Sequence, residues 1–237
     1  MNVIAHRGGA GLGNENTLSC IAEGLKYSPS MIEIDVHLTR DCEVVVCHDP
    51  FIDRTTDSKG LISEMTLEEV KAAHITDADG NTTNEKIPTL REVIEFIDGR
   101  AAILLEIKRE DETDDGLERF CLDIIYEYDL QDTIIVQSFN DIVLERFHAM
   151  DSNIRLEKLL FVRPFNMAAV RSCEWIASYN IYYRGLVTHR FVDKMHSLGK
   201  EVKVWTIKKP SQIPCGNLDG IITDRPDFQF CYPPICF

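Results

Sequence analysis

The sequence lacks an apolar run long enough to cross a membrane, and it lacks an export signal. No stretch approaches the about 18 consecutive apolar residues of a membrane-spanning helix. The chain passes from Met1 directly into an apolar segment, without the basic region, hydrophobic region and small-residue cleavage site of a signal peptide. We therefore expect a protein that is not inserted in a membrane and that works in the cytoplasm.

Positive charge is scarce in this chain. Lysine and arginine number 25 against 39 aspartates and glutamates, which gives a formal net charge of −14. Such a protein repels nucleic acid and anionic membrane surfaces, so we expect no nucleic-acid partner and no stable membrane insertion. An anionic small-molecule substrate must then be held by a local group of cations.

The eight cysteines include no Cys-x-x-Cys pair and no Cys/His spacing suited to zinc. Because an export signal is absent, buried and reduced thiols in a reducing compartment are the favoured interpretation. One alternative stays open, a disulfide among the three cysteines nearest the C-terminus, which are Cys215, Cys231 and Cys236.

The chain alternates apolar runs with segments of helical periodicity from end to end. Its 237 residues, 44% of them hydrophobic, suit one α/β domain over 1–237. This alternation is typical of βα units on a parallel sheet and predicts a closed (β/α)₈ TIM barrel. The predicted strands are Asn2–His6, Met31–Val36, Ala102–Ile107, Thr133–Gln137, Arg155–Phe161, Gly185–Thr188, Glu201–Thr206 and Gly220–Thr223. The predicted helices are Thr17–Tyr27, Leu90–Ile97, Gly116–Tyr128, Asp141–Met150, Met167–Tyr179 and Arg190–Leu198.

A polar segment over 49–88 interrupts the repeat, after an extra predicted strand at Glu43–His48. Within it, Thr66 and Glu69 have the spacing of a capping box and predict a short helix. The segment would rise from the face at which catalytic residues of barrels gather. We therefore predict an insertion over 49–88 that covers the substrate. The acidic run Glu110–Asp115 is predicted to be a solvated loop.

Ionisable side chains stand on or at the ends of the predicted strands. Glu33 and Asp35 share one face of a strand, as do Glu106 and Lys108, because side chains two residues apart point the same way. The carboxyl ends of barrel strands converge, so these carboxylates could meet His6 at one mouth. Three carboxylates at one mouth favour a hard divalent cation, Mg²⁺ or Ca²⁺.

Two interpretations without a ligand remain open for these groups. Glu33 and Asp35 could form a buried ion pair with Arg7 or Lys108, and Glu106 could belong to a salt-bridged strand end.

His6 and His48 are the candidate acid and base. A lone histidine is more often a packed core residue, but two at strand ends beside carboxylates favour catalysis, because imidazole exchanges protons near neutral pH. Arg7 adds a fixed planar cation for phosphate or carboxylate. Trp205, at a strand end, carries an amphipathic ring that could lie against a substrate or simply pack at the rim.

An ordered series of motifs runs through nearly the whole chain. The motifs are His6-Arg7-Gly8, Glu15-Asn16-Thr17, Glu33-Ile34-Asp35 with Thr39, His48-Asp49, Arg54-Thr55-Thr56 with Gly60, Pro88-Thr89-Leu90, Glu106-Ile107-Lys108, Gln137-Ser138-Phe139, Val204-Trp205-Thr206 and Gly220-Ile221-Ile222-Thr223-Asp224 with Pro226. With these motifs the sequence resembles the glycerophosphodiester phosphodiesterases, a metal-dependent TIM-barrel family that includes relatives acting on lysophospholipids.

The resemblance implies metal-dependent hydrolysis of glycerophosphodiesters to glycerol 3-phosphate and an alcohol such as choline or ethanolamine. It implies a role for each candidate residue. The metal ligands would be Glu33, Asp35 and Glu106, the base and acid would be His48 and His6, and the phosphate contacts would be Arg7 and Lys108. The nucleophile would be water or the neighbouring glycerol hydroxyl, and the resemblance favours attack by the glycerol 2-hydroxyl through a cyclic phosphate.

Three positions depart from the family pattern. Asn14 stands where the family usually has proline, Cys42 where it usually has glycine, and Lys208 near a usual asparagine. None of these is a proposed metal ligand. Lys208 could alter head-group preference, although a solvated lysine is the simpler interpretation.

Two rival functions remain. A phospholipase D-like or lysophospholipase D-like enzyme would expose an apolar surface around the mouth, whereas 49–88 is largely polar, which favours a soluble glycerophosphodiester. A non-catalytic phosphodiester-binding barrel would lack a histidine or a metal carboxylate, yet every expected position is filled. The apolar C-terminal tail at Cys231–Phe237 could pack on the barrel or on a second subunit of a homo-oligomer.

Overall fold

The computed structural model describes residues 1–109 and 115–228, which form nine strands and seven α-helices. The strands are β1 (Asn2–Ala5), β2 (Met31–Leu38), β3 (Val44–Val46), β4 (Ala102–Ile107), β5 (Ile134–Ser138), β6 (Arg155–Leu160), β7 (Ile176–Tyr182), β8 (Glu201–Ile207) and β9 (Gly220–Thr223). The helices are α1 (Leu18–Leu25), α2 (Leu67–Ala72), α3 (Leu90–Ile97), α4 (Leu117–Glu127), α5 (Asp141–Met150), α6 (Met167–Ser172) and α7 (His189–His196).

Eight parallel strands close into a barrel. Around the barrel the order is β1, β9, β8, β7, β6, β5, β4, β2, and β2 pairs back with β1. The remaining strand, β3, pairs antiparallel with β2. The predicted (β/α)₈ TIM barrel is therefore confirmed.

The two faces of the barrel wall differ in polarity. Ile32, Ile34 and Val36 on β2 belong to the main hydrophobic core, which lies between the strands and the helices. The alternate residues Glu33 and Asp35 are fully buried and point the other way. Inside the barrel a small apolar cluster is formed by Ile4, Leu104, Ile135 and Ile222. The strand alternation thus sends the carboxylates into the barrel.

One region of the predicted secondary structure is wrong. The sequence pattern predicts a helix over Met167–Tyr179 and a strand at Gly185–Thr188, but α6 has only six residues and β7 follows it. The physical reason is that Ser178 and Asn180 on β7 are fully buried and hydrogen-bonded to each other inside the barrel. A strand with polar inward residues does not produce an apolar run.

The polar segment over 49–88 packs around its own apolar cluster. Ile52, Ile62 and Val70 from this segment pack with Val45 of β3. The helix predicted from the capping box is confirmed as α2, because the side chain of Thr66 accepts from the backbone of Glu69 and the Glu69 carboxylate accepts from the backbone of Thr66. The assignment of 49–88 as an insertion within one domain stays a prediction.

The described cysteines are mostly free thiols. Burial raises the pKa of Cys20 and Cys47 to about 12, so both remain protonated. The free thiols are Cys20, Cys42, Cys47, Cys121 and Cys173, whereas Cys215 is disulfide-bonded. Cys231 and Cys236, the rest of the C-terminal tail and most of the acidic run Glu110–Asp115 lie outside the described residues.

Across 1–109 and 115–228, none of the helices combines the length and the apolar character that a bilayer crossing requires.

Two glycines bring α1 against the turn that follows β1. Gly8 has φ of +84°, and a Cβ on it would lie 2.9 Å from the Ile21 side chain. A Cβ on Gly24 would lie 2.1 Å from the carbonyl oxygen of Gly8. Real Cβ atoms do not come within 3.0 Å of other heavy atoms, so the packing of α1 on the turn carrying His6 and Arg7 requires glycine at both positions.

We expect Gly24→Ala to lower the free energy of unfolding by about 1–3 kcal/mol, as overpacking does. Alanine favours helices over glycine, so a loss would come from the contact with Gly8. Urea titration measures the change. Gly13→Ala is the matched control, because its Cβ would meet other atoms at 3.6 Å, an ordinary contact. Equal stability of the two variants would contradict the packing argument.

Candidate active site

Three buried carboxylates meet at the carboxyl ends of β2 and β4. One oxygen from each of Glu33, Asp35 and Glu106 lies within 4.8 Å of the others. The strand register pairs Asp35 directly with Glu106. Glu33 and Asp35 are fully buried and Glu106 is 7% exposed. The structure therefore brings the three predicted metal ligands together.

Arg7 and Lys108 supply the positive charge beside these carboxylates. The Arg7 guanidinium lies 3.5 Å from Asp35 Oδ2, and its Nη1 donates to Glu15 at 2.9 Å. Lys108 Nζ donates to Glu106 Oε1 at 2.7 Å and lies 3.6 Å from Asp35 Oδ1. The ion pairs with Arg7 and Lys108 that the sequence offers as an alternative to a metal site are therefore present. They lie within the carboxylate cluster.

The carboxyl groups differ in their affinity for protons. Burial, followed by repulsion from Asp35, raises the pKa of Glu106 to about 7 and raises the pKa of Glu33 well above its usual value. Burial also opposes ionisation of Asp35, but Lys108 and Arg7 outweigh it and hold its pKa below the usual value. The charges of Arg7 and Lys108 lower the pKa of Asp35 alone, whereas the pKa values of Glu33 and Glu106 stay raised. Ionisation of all three carboxyl groups would therefore leave excess negative charge in the site.

The carboxylate set fits a hard divalent cation. Asp35 Oδ1 is buried without a hydrogen-bond partner among the described residues. The other Asp35 oxygen accepts from Asn16 Nδ2 at 2.8 Å, which orients the carboxylate. Oxygen donors of this kind suit Mg²⁺ or Ca²⁺. A divalent cation would supply the positive charge that the site lacks.

His6 forms a pair with a carboxylate at the end of β9. Its Nδ1 lies 2.6 Å from Asp224 Oδ1, and Lys208 Nζ lies 3.3 Å from the other oxygen of Asp224. Burial opposes ionisation of Asp224, but the hydrogen bond to His6 outweighs it, with support from the charges of His6 and Lys208, and lowers its pKa. An ionised carboxylate only accepts, so Nδ1 carries the hydrogen and Nε2 is left to exchange protons.

His48 forms a second pair of the same kind. Its Nδ1 lies 2.6 Å from Asp49 Oδ1, and Arg54 holds the other oxygen of Asp49 and donates to Glu15. Burial lowers the pKa of His48 despite the attraction of Asp35. His48 is therefore neutral near pH 7, with Nε2 as its basic nitrogen.

One pocket collects both histidines and both cations. It is lined by His6, His48, Arg7 and Lys108, together with Trp205. Trp205 Nε1 donates to the carbonyl oxygen of Asn180 at 2.9 Å, so the ring is fixed at the pocket wall. All eight residues singled out for the site from the sequence thus lie in or directly against one cavity.

Several partners in the site were not assigned a role from the sequence. Asp224, Asp49 and Asn16 lie within the quoted motifs, but no local pattern shows what they contact. Asp49 adjoins His48 in sequence and offered the best signal. Asp224 is 218 residues from His6, so that pairing depends on barrel closure.

Comparison with known proteins places this geometry among phosphodiesterases. A family model described as glycerophosphoryl diester phosphodiesterase family matches residues 6–228. A glycerophosphodiester phosphodiesterase of Caldanaerobacter subterraneus subsp. tengcongensis is 31% identical over 233 residues, which cover 95% of this chain and 94% of that protein. One from Bacillus altitudinis is 29% identical over 232 residues, with 95% of each covered.

A solved structure agrees with the sequence comparison. It is an Oleispira antarctica phosphodiesterase in complex with the product sn-glycerol-3-phosphate. The TM-score is 0.86 at 27% identity, and the match covers 95% of this chain and 94% of that chain.

The raised pKa of Glu106 links stability to pH in metal-free protein. A carboxyl whose pKa rises from 4.5 to about 7 on folding contributes stability below the lower value, and that contribution is lost as the pH rises through the higher one. We expect wild type to lose on the order of 2 kcal/mol more than Glu106→Gln between about pH 5 and pH 8. Urea titrations in chelator measure this, and parallel pH curves for the two proteins would contradict it.

Proposed function

The chain belongs to the glycerophosphoryl diester phosphodiesterase family, whose members are phosphoric diester hydrolases, and we propose that it releases glycerol 3-phosphate from soluble glycerophosphodiesters. The observation that carries the proposal is one pocket in which two histidine–aspartate pairs face three buried carboxylates. The product bound by the Oleispira antarctica relative supports glycerol 3-phosphate as the product here.

We propose that Glu33, Asp35 and Glu106 hold a divalent cation, Mg²⁺ or Ca²⁺. When bound, such a cation supplies positive charge that offsets the charge developing on the phosphate oxygens. Arg7 and Lys108 bind the same phosphate from the protein side. Their charge favours the transition state, in which the phosphate oxygens carry more negative charge than in the substrate.

The histidines move the protons. His48, neutral near pH 7, takes the proton of the attacking hydroxyl, which is that of water or of the glycerol itself. The new oxygen–phosphorus bond forms as the bond to the alcohol breaks, and His6 protonates the leaving oxygen. Attack by water gives glycerol 3-phosphate directly. Attack by the glycerol hydroxyl gives a cyclic phosphate, which water then opens to glycerol 3-phosphate with the two histidines in exchanged roles. Asp49 and Asp224 hold Nδ1 of the two rings, so that proton exchange takes place at Nε2.

We propose that 49–88 is an insertion in one domain and covers the substrate. Arg54, from this segment, donates to Glu15 at 2.7 Å, and Glu15 accepts from Arg7 as well. The segment is thereby connected to the phosphate-binding side of the pocket. A cytoplasmic location remains a prediction.

We expect purified protein to release glycerol 3-phosphate from glycerophosphocholine with added Mg²⁺ or Ca²⁺ and to lose this activity in chelator. Without its base, His48→Ala should lower kcat by about 100-fold or more. An enzyme-coupled assay of glycerol 3-phosphate measures both effects. His148→Ala is the matched control, because His148 lies on α5 and stacks on Trp175. Full activity of chelated wild type would contradict the metal proposal, and an active His48→Ala would contradict the base.

A second substrate class is favoured by an apolar surface beside the pocket. Phe139 and Trp205 line the pocket, and Phe161 stacks on Phe139 at 4.9 Å and contacts Trp205. Phe161 is 64% exposed, and Phe165, a few residues further on, is 70% exposed. We propose that this surface admits an acyl chain, as lysophospholipase D-like activity would require.

We expect Phe161→Ser to lower kcat/KM for a lysophosphatidylcholine at least about tenfold, because it removes apolar contact with the chain. The value for glycerophosphocholine should change little. Choline release from the two substrates measures the ratio. Tyr27→Ser is the matched control, since Tyr27 is 48% exposed but lies just after α1 and does not line the pocket. Equal losses on both substrates would refute the lipid subsite.

A further inference from the structure

A lysine and a glutamate are buried completely inside the barrel, below the pocket. Lys203 on β8 and Glu157 on β6 both have no exposed surface, and Lys203 Nζ donates to Glu157 Oε1. Arg155 approaches the same oxygen at 3.4 Å and pairs with Glu201 at 2.7 Å. Burying an ion pair gives up hydration that the pair only partly recovers, so its presence here calls for a reason other than stability.

A line of hydrogen bonds runs from this ion pair to the carboxylate cluster. Asn180 Nδ2 donates to Glu157 Oε2 at 2.8 Å and to Gln137 Oε1 at 2.9 Å. Gln137 Nε2 in turn donates to Glu33 Oε1 at 3.3 Å. The other oxygen of Glu33 accepts the backbone N–H of Arg7 at 2.8 Å. Both oxygens of Glu33 are therefore held, one of them through two amides.

The carboxylate of Glu157 decides which way both amides point. A carboxylate only accepts, so Asn180 must turn its NH₂ toward Glu157, while its Oδ1 accepts from Ser178 at 2.9 Å. The same NH₂ donates to Gln137 Oε1, which leaves the Gln137 NH₂ to face Glu33. If Asn180 were reversed, Gln137 would reverse too and would present its oxygen to the Glu33 carboxylate.

We propose that Glu157 and Lys203, acting through Asn180 and Gln137, are positioning residues that hold Glu33 in the orientation that receives a divalent cation. This inference rests on the metal site of the proposed function. Lys203 donates to Glu157 and holds its carboxyl group in place, and Glu157 sets the orientation of the two amides. Groups that orient metal ligands in this way typically contribute about 10–100-fold to metal affinity.

The test replaces the ion pair by apolar side chains of similar size. We expect Glu157→Leu/Lys203→Met to raise the dissociation constant for Mg²⁺ about tenfold or more, because Asn180 loses its fixed acceptor. Arg155 and Glu201 still balance each other in this variant. Isothermal titration calorimetry without substrate measures the constant, and urea titration reports stability separately. Glu157→Gln/Lys203→Met should recover part of the affinity, because the glutamine carbonyl can still accept from Asn180.

A matched control and a second variant separate positioning from stability. Glu118 is 2% exposed, and it accepts from Arg146 at 3.2 Å between α4 and α5 and from Arg109 at 3.5 Å. Arg109 keeps a second acceptor in Asp115 when Glu118 is replaced. Glu118→Leu/Arg146→Met should therefore change stability without changing the Mg²⁺ dissociation constant. Asn180→Leu breaks the line of hydrogen bonds while the ion pair remains, and it should weaken Mg²⁺ binding as the main variant does. If the main variant does not fold, Asn180→Leu decides the question.

Wild-type affinity in a folded Glu157→Leu/Lys203→Met, or in Asn180→Leu, would overturn the proposal. An equal loss in the Glu118→Leu/Arg146→Met control would overturn it as well. If wild type binds no divalent cation, both this inference and the proposed metal site fail, while release of glycerol 3-phosphate is still judged by its own assay. Failure of the positioning role is thereby distinguished from failure of the proposed reaction.

Discussion

The burial of three carboxylates at one mouth is the constraint on which the rest of the site depends. Glu33, Asp35 and Glu106 lie within 4.8 Å of one another and nearly out of solvent. Charges in such a place must be paired or held by hydrogen bonds. The turn after β1 supplies part of the required ion pairing and hydrogen bonding through Arg7. The φ of Arg7, 51°, is rare for a residue with a side chain. Its backbone N–H reaches Glu33 while its guanidinium lies beside Asp35. The strained backbone of that turn thus places both groups of Arg7 where they stabilise the buried carboxylates.

The same constraint continues below the mouth. Barrels of this type usually fill their interior with layers of branched apolar side chains. Here the apolar layer formed by Ile4 and its neighbours is small, and Gln137, Glu157, Asn180 and Lys203 are buried beside it. The described interior is therefore largely a hydrogen-bonded network. Its geometry is more directional than apolar packing, because each donor has a defined acceptor.

Strands that follow a local apolar pattern are predicted correctly from the sequence, whereas contacts that form only when the barrel closes are not. β2 and β4 begin at the predicted residues because their outward faces are uniformly apolar. The sequence pattern does not predict β7, because its inward residues Ser178 and Asn180 are polar. Their polarity is explained only by the closed barrel, in which Asn180 donates to Glu157 and Gln137. The pairing of His6 with Asp224 likewise spans the whole barrel. Strand parity and side-chain chemistry single out the eight site residues, and the resemblance to a family implies roles for seven of them, but neither predicts the hydrogen bonds that orient them.

His48 follows β3, the strand that lies outside the closed barrel. The chain beyond it is held by a small apolar cluster of its own, formed around Val45, Ile52, Ile62 and Val70. A unit with so little buried surface opens at a lower free energy than the barrel core. Loss of activity on warming or in mild denaturant would then result from local unfolding of the chain that follows His48 and not from unfolding of the barrel. Spectroscopic signals from the strands and helices would remain native although the enzyme is already inactive. A return to mild conditions would restore the activity.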